Sequence, residues 1–433
     1  MKERIRKCAI VLFWLTVWAA AALAADNEIL LAGPGATFRE LWEMLGGGSF
    51  YRAVGGSLLR IGTGFLAGSL WGVALAAGSF RFPLLEEMLA PVIRFLKAVP
   101  VASFVVLLLI WWGSSFLALA VCFLVVLPQL YISVLEGLKS VDQKMLEMAK
   151  IFRIPFGTRF FYIYRPAMKP FLYAGLKISL GLCWKSGVAA EVMGISAASL
   201  GEGLYLSRIY LNTAGVFAWT VVILLLSMIF ERAVLWMAGK FFAWEPECGK
   251  RKGSGEEKTV CSLKLVRVTK GYGGRKVLDQ VSVCYEPGQS YFLTSPSGSG
   301  KTTLLRILAG LEEPDGGAVQ VLGFCSMMFQ EDRLCEEYSA LKNVEMVTGD
   351  RNQAREALLK VLEEEDLEKP CGQLSGGMKR RAALVRAMEA ESCFVLLDEP
   401  FTGMDARTKE MARDYIRQRQ GERPLIIAEH NTF

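Results

Sequence analysis

LSGGMKRRAALVRAMEAESCFVLLDEPFTGMD, residues Leu374 to Asp405, is the stretch whose reading decides the fold of this chain. Leu374-Ser375-Gly376-Gly377 opens a helix, Phe394 to Leu397 is a short apolar strand ending in Asp398-Glu399, and Phe401 to Asp405 is a turn with one Gly and a terminal acid. A glycine pair at a helix start exposes backbone N–H groups where the helix dipole is positive, which suits a phosphate. A buried strand ending in Asp-Glu offers one carboxylate to Mg²⁺ and a second that can polarise an attacking water.

Upstream of this stretch, Ser295-Pro296-Ser297-Gly298-Ser299-Gly300-Lys301-Thr302-Thr303 follows a predicted strand (Ser290 to Thr294) and precedes an apolar helix (Leu304 to Leu311). Small residues let successive N–H groups turn inward on phosphates; Lys301 reaches the β- and γ-phosphates and the Thr302 hydroxyl takes a Mg²⁺ position. One letter departs from the P-loop pattern, which has Gly where this chain has Ser295. If that site needs φ > 0, a serine there costs about 1 kcal/mol. The expectation is then weakened ATP binding that Ser295→Gly would restore. Further strands are predicted over Ser262 to Thr269, Val277 to Val283 and Pro424 to Ala428, with helices over 352–367 and Ala406 to Gln420.

Ordered in this way, the P-loop, LSGG and Asp-Glu segments resemble the Walker A, signature, Walker B and D-loop run of ABC-transporter ATPases. The resemblance implies ATP and Mg²⁺ as cofactors. It implies Asp398 as the Mg²⁺ carboxylate, Glu399 as the base, and Ser375, Gly376 and Gly377 contacting the γ-phosphate held by another copy. It also implies that Tyr272 stacks on adenine, that Gln330 is the Q-loop residue completing the Mg²⁺ shell, and that His430, the only histidine in the chain, contacts the γ-phosphate. The chain ends three residues after His430, so this domain, 261–433, reads as C-terminally short.

The other half has a different composition. Hydrophobic residues make up 52% of the 433, and they concentrate before residue 245 in runs near the ~20 residues that cross a bilayer. Six spans are predicted, at about 1–25, 54–79, 91–111, 115–136, 171–192 and 216–238. The first follows Lys2, Arg4, Arg6 and Lys7 and ends in Ala22-Leu23-Ala24-Ala25, which also imitates a cleavage site; an uncleaved helix is preferred because other spans follow. Gly64, Gly68 and Gly72 in the second span are read as a helix-packing stripe. The basic segment 137–170 is cytoplasmic by the positive-inside rule. The net charge of +6 needs no nucleic-acid partner, and the ten cysteines show no metal-like spacing. Residues 246–260, rich in Gly, Ser and charge, form a linker.

Segment 140–170, with Glu147-Met148-Ala149 and later Pro166 and Pro170, resembles the EAA loop by which ABC-importer permeases dock on their ATPase. Arg153 stands where that motif has Gly, and an Arg requires an ordinary φ there. Residues 37–245 resemble permeases of nitrate, sulfonate, taurine and pyrimidine-precursor importers through Ser57 to Arg60, Leu138 to Asp142, Ala189 to Glu191 and Asn212 to Ala218.

The fold expected is therefore an N-terminal all-α polytopic membrane domain (1–245) of type I importer character, fused to a C-terminal α/β P-loop ATPase. Its place would be the inner membrane, with the ATPase in the cytoplasm. The resemblance implies ATP-driven import of a small solute by a homodimer served by a separate extracytoplasmic binding protein. An exporter, a membrane ATPase that does not transport, and a subunit pairing with a separate ATPase stay open as alternatives. Lys185 falls within the fifth span, where a charge either faces a pathway for anions or snorkels or pairs, for example with Glu191.

Overall fold

A computed structural model of the chain describes residues 2–246, 262–296 and 298–429. They fall into two compact units. One comprises Met1–Ser140 and Ala167–Trp244, the other Val141–Pro166 and Glu245–Phe433. The predicted linker lies almost wholly outside the described residues.

The first unit is helical. Among the described residues three helices are long and apolar enough to cross a membrane: Gly48–Arg81, Leu117–Lys139 and Thr213–Ala243. A fourth arises only if Pro83–Ala98 and Val101–Trp112 count as one span, and these are bent by 101°. By length and apolar composition the structure has three or four such helices where six were predicted, for three physical reasons. The apolar part of the first helix, Ala9–Ala25, is short for the ~30 Å hydrocarbon core. The predicted span 91–111 is broken at Val99-Pro100, where proline removes a donor and holds Val99 extended at φ −73°, ψ 129°. The predicted fifth span lies in the 30-residue helix Arg165–Gly194, where Lys177 and Lys185 dilute the apolar character.

The glycine stripe is a packing device. A Cβ on Gly64 would stand 2.5 Å from the Leu119 carbonyl oxygen and 2.7 Å from the Cys122 Cβ. On Gly68 it would meet the Phe123 carbonyl at 3.0 Å, and on Gly72 the Leu127 carbonyl at 2.9 Å. Helices 48–81 and 117–139 thus touch backbone to backbone, which only residues without a side chain allow. Ile61, Phe65, Val126, Leu180, Trp184 and Val222 fill the core around this contact.

The second unit is α/β. Strands β1 (Ser262–Tyr272), β2 (Arg275–Tyr285) and β4 (Gly316–Leu322) form an antiparallel sheet in the order β2-β1-β4. Strands β3 (Ser290–Thr294), β5 (Cys325–Met328), β6 (Phe394–Asp398) and β7 (Leu425–Glu429) form a parallel sheet in the order β3-β7-β6-β5. Every residue of β5 and β6 is buried, as expected of parallel strands covered on both faces. The segment 141–166 belongs to this unit. Its helix Gln143–Ile151 is N-capped by Asp142, which accepts the Lys144 N–H at 2.9 Å. Met148, Ile151, Phe152 and Ile163 enter the same apolar core as Leu305 and Met327.

Candidate nucleotide site and docking segment

The loop after β3 carries Ser295, Pro296, Gly298, Ser299 and Gly300 into the helix Lys301–Leu308. Ser297 lies outside the described residues. Gly298 (φ 81°) and Gly300 (φ 91°) adopt left-handed backbone, and a Cβ on Gly300 would meet the Val277 Cγ1 at 2.7 Å. Ser295 is not among the described left-handed residues, so the expected strain at this position is absent and with it the reason for weakened binding. Lys301 Nζ folds over the loop and donates to the carbonyls of Ser295 and, at 3.4 Å, Pro296. Thr302 and Thr303 follow in the first helical turn.

Asp398 ends β6 at 1% exposure, and among the described residues no partner within full hydrogen-bond geometry reaches either carboxylate oxygen. Burial pushes its pKa up; the neighbouring Thr302 hydroxyl pulls it back, and the Glu399 charge adds to the rise. A desolvated carboxylate with unpartnered oxygens beside a threonine hydroxyl fits a divalent cation. No group of three or more His, Cys, Asp or Glu side chains gathers around a metal position among the described residues.

Glu399 sits at φ 50°, a strained backbone for a non-glycine residue, and its N–H donates to the Ala428 carbonyl at 2.9 Å. Gln330 Nε2 approaches Glu399 Oε1 at 3.5 Å, and Thr402 Oγ1 donates to Oε2 at 3.3 Å. The fold thus brings Gln330 and Glu399 together, at the end of the strand that holds Asp398. His430 lies outside the described residues.

Ser375 caps the helix Gly376–Glu389 by accepting the Met378 N–H at 3.4 Å. Ser375 and Gly376 are exposed, and a Cβ on Gly377 would lie 3.6 Å from the Gly403 carbonyl of the D-loop turn. Tyr272 ends β1 and is half exposed; its hydroxyl donates to Glu312 and lies beside Thr303.

Arg380, one turn into the helix Gly376–Glu389, carries little signal of its role in the sequence. It is buried, yet Nη1 donates to the carbonyls of Phe329 (2.8 Å) and Gln330 (2.9 Å) and to Asp332 Oδ1 (3.0 Å). Nη2 donates to the carbonyls of Asp398 and Glu399, both at 2.6 Å. Arg386, six residues on, holds the carbonyls of Arg333 and Asp332 at 2.7 and 2.8 Å. One helix therefore fixes the Q-loop, and Arg380 also fixes the end of β6. The sequence signal was weak: Arg380 and Arg386 sit among Ala, Leu and Val in a helix that also carries Lys379, Arg381 and Glu389.

Segment 141–166 is tied to this site by ion pairs. Glu147 accepts from Arg306 Nη1 and Nη2 at 3.2 and 2.9 Å, and from Arg333 Nη1 at 2.8 Å. The Arg306 hydrogen bonds, then those of Arg333, hold the Glu147 carboxyl below the usual range. Lys144 pairs with Glu331 at 2.6 Å. Ala149 is fully buried. Arg153 has φ 49°, not the ordinary φ expected for Arg. The left-handed turn of the glycine pattern is kept, at a cost of about 1–2 kcal/mol. Its guanidinium lies 4.2 Å over the Phe324 ring, a contact of similar size.

In the helical unit Lys185 is exposed. Glu191 is bound instead by Ser57 Oγ (2.6 Å), Arg60 Nε (3.3 Å) and the Gly201 N–H (3.3 Å).

Fold and site together define a membrane-helix unit fused to a P-loop ATPase. Two family models match the chain. ABC transporter matches residues 278–402, and binding-protein-dependent transport system inner membrane component matches residues 65–242. The chain is 40% identical over 178 residues to an aliphatic sulfonates import ATP-binding protein of Rhodococcus jostii, covering 39% of this chain and 71% of that protein. It is 40% identical over 159 residues to another from Nocardia farcinica, covering 36% of this chain and 65% of that relative's length. A solved dimeric bacterial ABC transporter cassette is 27% identical, with 39% of this chain and 88% of that chain covered and a TM-score of 0.36. The chain belongs to the ABC transporter family, with an inner-membrane permease segment and a cytoplasmic ATP-binding cassette in one polypeptide.

Proposed function

We propose that the chain is an ATP-driven importer of a small anionic solute of the sulfonate, taurine or nitrate type, working as a C2 homodimer with a separate extracytoplasmic binding protein. The observation that carries this reading is the seat of Glu147 between Arg306, on the helix that starts at Lys301, and Arg333, just after Gln330. This joint ties the phosphate-binding helix to a segment that runs between two membrane helices in sequence, as coupling of hydrolysis to transport requires. The sulfonate relatives support the solute class.

The residues divide the work. Backbone N–H groups of the loop from Ser295 to Thr303, Pro296 excepted, bind the phosphates with Lys301, and Tyr272 stacks on the base. Thr302, Asp398 and Gln330 would hold Mg²⁺, which supplies positive charge to the β- and γ-phosphate oxygens when bound. Glu399 orients and deprotonates the attacking water, and His430 contacts the γ-phosphate. Each chain has one P-loop and one LSGG turn, and Ser375 and Gly376 are exposed, which suits capping of the partner's ATP by Ser375, Gly376 and Gly377. Closure of the ATPases is carried to the membrane helices through Glu147, Ala149 and Arg153.

Arg165–Gly194 is proposed as an additional span. One face of it, with Leu176, Leu180, Trp184 and Val188, is buried in the helical core. The exposed stripe carries Lys177 and Lys185 with Ala174, Ile178 and Ala189. Lysines facing lipid are expensive, so this stripe suits an anion path.

The test is uptake of radiolabelled taurine and ATP hydrolysis in proteoliposomes with the binding protein. Glu399→Gln is expected to trap an ATP-loaded dimer, and Lys185→Met to slow uptake. Brisk hydrolysis by Glu399→Gln refutes its role as base, and full uptake by Lys185→Met removes it from the path.

A further inference from the structure

Between the position assigned to adenine and the docking segment runs a continuous line of side chains. The Tyr272 hydroxyl donates to Glu312 Oε1. The other oxygen of that carboxylate, Oε2, lies 3.4 Å from Arg306 Nε. The outer nitrogens of Arg306 grip Glu147 at 3.2 and 2.9 Å. The guanidinium is therefore shared edge by edge, Nε on one carboxylate and the Nη pair on another. Such a fork–fork contact depends on the orientation of the plane, which a point-charge contact would not. Lys270 flanks the line, 3.7 Å from Glu312 and 5.6 Å from the Tyr272 ring centroid, and is itself held by Asp315 at 3.0 Å. Side-chain exposures of 18% for Glu312, 20% for Glu147 and 27% for Arg306 place the line in partly desolvated surroundings, where such contacts are less screened than at the open surface.

We infer that Glu312 is a positioning residue that reports occupancy of the base site to the docking segment, by coupling the Tyr272 hydroxyl to the plane of Arg306 and so to its hold on Glu147. This rests on the reading of Tyr272 as the adenine-stacking residue. A ring that swings about χ1 to receive a base carries its hydroxyl with it, and Glu312 is where that movement meets Arg306. On this reading phosphates alone fill the loop around Lys301 and leave the face of the Tyr272 ring uncovered. The line therefore distinguishes a nucleotide from a bare polyphosphate.

The experiment is amide hydrogen exchange over residues 143–154 of the full-length protein in nanodiscs, with saturating MgATP or magnesium tripolyphosphate. In the unmodified protein ATP is expected to change exchange in this segment by about threefold or more, and tripolyphosphate by much less. In Glu312→Gln, and in Tyr272→Phe, which keeps the ring and removes the hydroxyl, the two ligands are expected to give the same response. Equal responses in the unmodified protein, or a preserved difference in both variants, overturn the inference. ATP affinity of Tyr272→Ala separates the two readings. Unchanged affinity defeats the base-stacking role, whereas weakened affinity with a preserved difference in Glu312→Gln defeats the relay alone.

Discussion

Replacing Arg380 with Met keeps much of the side chain's volume and removes every polar contact it makes. Five acceptors lose their donor: the carbonyls of Phe329, Gln330, Asp398 and Glu399, and Asp332 Oδ1. Among the described residues the buried Nε has no partner, so the polar contacts reside in the two terminal nitrogens. Removing one side of a buried charged network costs about 3–5 kcal/mol. For a domain of this size each kcal/mol lowers Tm by about 2–4 °C, so the ATPase unit should melt about 6–20 °C earlier. Hydrolysis should suffer as well, because the carbonyls released belong to Gln330, Asp398 and Glu399, and kcat should fall more than the KM for ATP rises. Arg380→Lys should be intermediate, since a point charge cannot reach both backbone turns at once. Calorimetry of the purified protein with parallel ATPase assays measures both effects. A Tm drop of under about 2 °C for Arg380→Met, with hydrolysis intact, would refute the claim that this arginine fixes the site.

Gly64→Ala should destabilise the helical unit more than Gly72→Ala, because the new methyl meets backbone at 2.5 Å in one case and 2.9 Å in the other; unfolding in graded detergent mixtures gives the order. Asp398→Asn should raise the Tm of the ATP-free protein at neutral pH. Burial raises the folded-state pKa of Asp398, so ionising it costs stability as pH rises from the ordinary carboxylate value through the raised one. Mg²⁺ with nucleotide should stabilise the native protein more than the Asn variant, and thermal shift with and without the ion checks this.

Local sequence carried β1, β2 and β3 and the helix Ala406–Gln420, because alternation, glycine turns and helical periodicity act over a few residues. It missed β4 and β5. Their glycine-flanked runs are short, and their strand character comes from the neighbours they pair with, β1 and β6. Span counting from hydropathy runs departed from the helices at two places. Pro100 breaks one apolar run, and Arg165–Gly194 is enclosed by other helices along one face, so it need not be apolar all round. The two glycine substitutions misled in opposite directions. Ser295 occupies backbone that any residue can adopt, while Arg153 keeps the left-handed turn of the glycine it stands for. The contacts of Arg306, Arg333 and Arg380 join residues far apart in sequence, and no spacing rule announces them.

Because 141–166 is built into the core of a unit whose remainder starts only at Glu245, the order of synthesis matters. Met148, Ile151 and Phe152 leave the ribosome well before the strands that cover them exist, and the helices between must be inserted in the meantime. A nascent chain halted before the cassette is complete would display these apolar side chains to the cytosol, a ready signal for chaperones and proteases to recognise an unfinished transporter.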